Sequence, residues 1–92
     1  MIRSFRNRET QCFFEGHRVA AFQGFSYQAA RRLVLLDSVE TLRDLSALPG
    51  NRLEALRGDR AGQHSIRIND QWRICFLWTD DGPCEVEIVD YH

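Results

Sequence analysis

The sequence has no lysine, so all twelve of its basic side chains are arginine. Arginine's planar fork suits bidentate contact with phosphate, which is compatible with an RNA partner, although a GC-rich coding sequence yields the same bias. Thirteen acidic residues bring the formal net charge to -1. That balance excludes a general attraction to nucleic acid and leaves only local contacts. The three cysteines, Cys12, Cys75 and Cys84, are odd in number and far apart. They lack the paired spacing of zinc or thioredoxin-like sites, so neither a disulfide framework nor a metal nor a cofactor is indicated, and buried, reduced thiols are expected. With two prolines and six glycines the composition is not that of a disordered chain. No apolar run approaches the roughly 20 residues of a membrane span. Met1-Ile2-Arg3-Ser4-Phe5-Arg6 also lacks the apolar stretch of a signal peptide, so a cytoplasmic location without a membrane partner is expected.

What is present is 43% hydrophobic and 27% charged residues in a chain of 92, the composition of one globular domain over residues 1–92 with a modest core. Met1 to Phe5 reads as a short strand, followed by a helix around Thr10 to Glu15 that Gly16 ends. Residues His17 to Phe25 have no clear period. Ser26 is placed to cap a longer helix in which Ala29, Leu33 and Leu36 recur at three- and four-residue steps, with Arg31, Arg32 and Glu40 on the other side. Asp37-Ser38-Val39-Glu40 has capping-box spacing, so the helix is expected to break there and restart through Leu42 and Leu45, until Pro49-Gly50 stops it.

From Gln63 the period changes to two. His64, Ile66 and Ile68 share one parity, and Gln63, Ser65, Arg67 and Asn69 the other, the pattern of a half-buried strand. Trp72 to Thr79 is a nearly continuous apolar run, as in a central strand covered on both faces. Asp80-Asp81-Gly82-Pro83 makes a turn, and Cys84 to Tyr91 returns as the last strand. Short turns force antiparallel neighbours, and the preceding helices can cover only one face. The expectation is an α+β, two-layer fold. Its N-terminal strand and helices pack on one face of a mostly antiparallel sheet with a C-terminal three-stranded meander, and the other face, which carries Arg67, is left open.

The stretch Leu-Arg-Gly-Asp-Arg-Ala-Gly-Gln-His-Ser-Ile-Arg-Ile-Asn-Asp-Gln-Trp-Arg-Ile-Cys-Phe from Leu56, with the ending Glu-Ile-Val-Asp-Tyr-His, resembles the HigB-like toxins of the RelE/ParE superfamily. Over residues 49 to 92, Gly58, Arg60, Gly62, Ser65, Arg67, Asn69, Trp72, Arg73 and Phe76 fall at the family's spacing, followed by Asp90-Tyr91-His92. The first half matches more loosely, through Ile2-Arg3-Ser4-Phe5 and Leu36-Asp37. The resemblance implies a RelE-like fold and the toxin of a type II toxin-antitoxin system. Such a toxin cuts messenger RNA in the ribosomal A site without metal or other cofactor and inhibits translation and growth. Its implied partner is a cognate HigA-like helix-turn-helix antitoxin, through which alone it meets operator DNA. Two other readings stay open. One is a ParE-like gyrase poison, for which an acid-base pair has no use. The other is a weakly active toxin kept mainly for antitoxin binding and autoregulation.

The implied chemistry is attack of a ribose 2′-hydroxyl on the adjacent phosphate, which needs a base, a cation and an acid. His92 matches the family's terminal histidine, and imidazole as a group can serve as acid or base near neutral pH. Asp90 shares its strand parity and is placed to orient the imidazole. Tyr91 points the other way, either to stack on a base or bond a phosphate or to close the core. Arg73 is either a phosphate clamp or the partner of a buried carboxylate, and Arg57, Arg60 and Arg67 are the candidates for gripping messenger or ribosomal phosphates. Glu54 stands where some relatives carry a histidine. Its negative charge opposes a phosphate, although a carboxylate can act as a base. His64, on the parity of Ile66 and Ile68, reads as a packed histidine.

Overall fold

The computed structural model describes residues 1–90. Four strands, β1 (Glu54–Ala55), β2 (Gln63–Arg67), β3 (Trp72–Thr79) and β4 (Gly82–Asp90), form an antiparallel sheet in the order β1-β2-β3-β4. The meander is therefore present. Two-residue β1, too short to show a period in the sequence, extends it at the β2 edge.

One face of the sheet carries the helices α1 (Arg8–Phe14), α2 (Ser26–Ser38) and α3 (Leu42–Ser46). The α2 positions Ala29, Leu33 and Leu36, four and three residues apart, form its buried stripe. They meet Ile66, Ile68, Ile74, Phe76, Val86 and Ile88 from the strands. Each such side chain taken fully from water contributes roughly 1.5–3 kcal/mol. Ser26 is not the cap expected of it but the first residue of α2, because a 3-10 turn over Ala20–Phe25 runs straight into the helix. That turn is what the unpatterned 17–25 segment becomes. It buries Phe22 and Phe25 against Trp72, with ring centroids 6.0 and 4.7 Å apart. The capping box sits later than expected. Thr41 and Asp44 exchange backbone bonds at the start of α3, while the Asp37 carboxylate accepts from the Ile2 N–H at 2.8 Å.

The expected N-terminal strand is an extended segment beside β4, held by Arg3 N–H to Pro83 O at 2.8 Å and a single parallel bridge between Phe5 and Val86. The chain approaches so closely that a Cβ at Gly82, whose φ is +123°, would strike the Met1 carbonyl. Within β4, Glu85 takes a φ of 52° where the pairing shifts between Cys75 and Leu77. This bulge inserts one residue, so Val86 and Ile88 turn inward although Cys84 pairs on the outer side with Leu77. Thr10 of α1 accepts from the Ile88 N–H at 3.1 Å and ties that helix to the same strand.

Candidate active site

The helix-free face follows from the register. Ser65 pairs with Cys75 and Arg67 with Arg73 across β2 and β3, Arg73 with Val89 and Cys75 with Glu87 across β3 and β4, and Glu54 with Ser65 at the β1 edge. Cross-strand partners project from the same side. One surface therefore gathers Glu54, Gln63, Ser65, Arg67, Arg73, Cys75 and Glu87. Gln63 and Ser65 are buried rather than solvated as the half-buried pattern suggests, because long arginine side chains lie across them.

Arg73 is the fixed point of this surface. Its Nε donates to Ser65 Oγ at 2.7 Å, and Nη2 donates to the Arg52 carbonyl at 2.6 Å. The Glu54 carboxylate stands 3.6 Å from Nη2. Arg52 presents its carbonyl from a left-handed backbone, φ 45°, at the end of a short turn over Pro49–Asn51. Buried Asn51 secures the turn by donating to Leu45 O at 3.2 Å and accepting from Arg32. The guanidinium is 9% exposed and Glu54 54%, so a rigid buried cation meets an accessible anion. Both residues are candidates from the sequence, but their pairing has no signature there because β1 creates it.

The other arginines diverge. Arg60 donates to Gln63 Oε1 and Glu87 Oε1, each at 3.1 Å, and Arg6 approaches the same carboxylate at 3.9 Å. Arg6 was no candidate, since only tertiary structure brings it there. Arg67 pairs with Asp70, and Arg57 is exposed just ahead of the turn Gly58–Arg60. Between the clusters, burial pushes the Cys75 thiol above its ordinary value, against the pull of Arg60, so it is a neutral core group. Cys12, Cys75 and Cys84 are all free thiols. His64 stacks on Phe76 with centroids 6.3 Å apart, and its Nδ1 is buried without a hydrogen bond among the described residues. It belongs to the helix-covered side.

Asp90 pairs with Trp72, so it projects from the face opposite Arg73, and it accepts from Gln71 Nε2 at 3.0 Å. The sequence candidates Tyr91 and His92 lie outside the described residues. Among the described residues no group of three or more His, Cys, Asp or Glu is arranged to hold a metal ion, and no helix is long and apolar enough to cross a membrane.

Helices packed on one side of an antiparallel meander also describe the fold of a chain in the YoeB-YefM complex from Staphylococcus aureus. The two superpose with a TM-score of 0.63 over 100% of this chain and 98% of that one, at 18% sequence identity. This is a likeness of architecture. A model of the RelE-like toxin of type II toxin-antitoxin system HigB matches residues 3–92. Toxin HigB-1 of Vibrio cholerae is 35% identical over 82 residues, covering 87% of this chain and 86% of that protein. Endoribonuclease HigB of Proteus vulgaris is 28% identical over 95 residues, with all of both chains covered. The chain belongs to the HigB-like toxin family. Its partner in a type II system is an antitoxin.

Proposed function

We propose that this toxin is an endoribonuclease that cuts messenger in the ribosomal A site without a metal ion. A HigA-like helix-turn-helix antitoxin neutralises it and makes any contact with operator DNA. The endonuclease reading is supported by a relative over the full chain named for that activity. The observation that carries the mechanism is the Arg73–Glu54 pair, an anchored guanidinium 3.6 Å from an accessible carboxylate on the open sheet face.

A ribose 2′-hydroxyl is an internal nucleophile, so the reaction requires a proton acceptor rather than an activated water. In this proposal Glu54 accepts that proton, the 2′-oxygen bonds to phosphorus, and the bond to the 5′-oxygen breaks. His92 delivers a proton to the leaving oxygen. The products are a 2′,3′-cyclic phosphate and a 5′-hydroxyl. Arg73 faces the charge that accumulates on the phosphorane. Its hydrogen bonds to Ser65 and Arg52 already fix it there, so little reorganisation is needed as the charge develops. Glu54 opposes a phosphate less than its sign suggests, because the Arg73 charge offsets it at close range. Asp90 follows Val89, the pair partner of Arg73, but projects from the opposite face; in this reading its role is to orient His92, and that of Tyr91 is to stack on a base. Arg57, Arg60 and Arg67 hold messenger or ribosomal phosphates.

A translating extract tests the reading directly. Wild-type protein is expected to cut messenger only when ribosomes are present, and His92→Ala to abolish the cuts while the protein stays folded. Loss of DNA supercoiling without cut messenger would replace the proposal with a gyrase poison, and neither effect would leave a toxin kept for antitoxin binding.

A further inference from the structure

On the helix-covered side of the sheet, away from Arg73, α2 and the 48–50 segment enclose a groove of about 460 Å³. Its floor includes Leu35 and Ile68 and its walls include Tyr27, Arg31, Arg32 and Leu48, with no carboxylate among the lining residues. Tyr27 is 70% exposed and Leu48 45%. Val34, 62% exposed, continues the stripe Tyr27, Arg31, Val34 along α2, at steps of four and three residues. Among the described residues the exposed large hydrophobic side chains are these three and Met1. Such a concentration on one side is unlike the scattered apolar side chains of an ordinary surface.

We infer that this groove docks an acidic segment of the cognate antitoxin, one that inserts an aliphatic side chain between flanking carboxylates. The apolar floor supplies the pocket for the anchor and the two guanidiniums supply the complementary rim. Arg32 is a built wall rather than a mobile charge, since it donates to the Asn51 side chain and to the Gly50 carbonyl at 3.4 Å. Arg31 lies over the Tyr27 ring at 5.7 Å and holds the aromatic rim in place. A nucleic acid strand needs open aromatic faces and a track of cations along its backbone. Here the lining has a single aromatic ring and two arginines rather than a run of either, so a peptide is the better fit. The inference rests on family membership and the antitoxin partner, not on the nuclease reading.

Calorimetric titration of purified cognate antitoxin into the toxin tests it. Arg31→Glu and Leu48→Asp are each expected to raise Kd at least about tenfold, as loss of an interface anchor does. Tyr27→Ala, at an exposed lining side chain, provides a third variant. Unchanged melting temperatures exclude misfolding as the cause. Exchange of an acidic antitoxin residue for lysine should restore part of the binding lost in Arg31→Glu. Ribosome co-sedimentation is expected to be unaffected by all three substitutions. Wild-type antitoxin affinity in all three variants would overturn the inference. So would lost ribosome binding with antitoxin binding intact, which would make the groove a ribosome-facing surface. A toxin that cuts no messenger leaves the titration fully interpretable.

Discussion

Replacing Arg73 by lysine keeps the positive charge and removes the planar fork. Arg73 now serves Ser65 through Nε and the Arg52 carbonyl through Nη2, at 2.7 and 2.6 Å, and a single ammonium cannot reach both positions. One buried acceptor loses its partner, at about 1–3 kcal/mol. For a domain of this size that loss lowers Tm by roughly 4–24 °C. A protein stable by at least about 5 kcal/mol remains more than about nine-tenths folded at 25 °C even at the upper end of that loss. Unfolding therefore accounts for less than a twofold fall in rate. Loss of a preorganised donor to the phosphorane costs about 10²–10³-fold, far outside that margin. The assay is the initial rate of messenger cleavage on saturating programmed ribosomes at 25 °C, with the melting curve of the same preparation followed by circular dichroism. A lowered Tm with an unchanged rate would refute the catalytic assignment and make Arg73 a structural anchor only.

Glu54→Gln keeps the size of the side chain and removes its capacity to take a proton. Cleavage is expected to fall about 10²–10⁴-fold, and an unchanged rate on saturating ribosomes would confine Glu54 to anchoring Arg73. Burial raises the Cys75 thiol above its ordinary value of 9.0. Above that pH the unfolded chain releases a proton that the folded chain retains, so stability should fall as pH rises through about 9. Urea titrations of wild type and Cys75→Ala across this range check the sign, because the variant should lack this part of the alkaline loss. Leu36→Ala, at a fully buried position on α2, should cost about 2–5 kcal/mol. A denaturant midpoint unchanged from wild type would show that α2 does not carry the core.

Periodicity made β2, β3, the α2 stripe and the layer arrangement legible, because Ala29, Leu33, Leu36 and the Ile66/Ile68 parity each report one buried face. Three features left no such trace. β1 is two residues long, and a period of two needs more than that. The bulge at Glu85 places a non-glycine residue at positive φ, and its immediate neighbours Cys84 and Val86 are neither glycine nor proline. Residues 17–25 are ordered by Phe22 and Phe25 meeting Trp72, a contact set by tertiary structure rather than local pattern. At the site, the family resemblance pointed to Arg73. Its anchors come from three places in the chain, Ser65, Arg52 and Glu54, and only the β1–β2–β3 register brings them together. Parity within one strand also says nothing about its neighbours. It linked Asp90 with position 92 but did not reveal that Asp90 faces away from Arg73.

Mapping messenger 5′ ends shortly after induction decides whether this toxin cuts messenger on the ribosome. New ends are expected inside translated reading frames at a fixed position within the codon, absent when translation initiation is blocked and absent with His92→Ala. Arrested growth with no new messenger ends, or ends spread equally over untranslated RNA, would contradict cleavage on the ribosome.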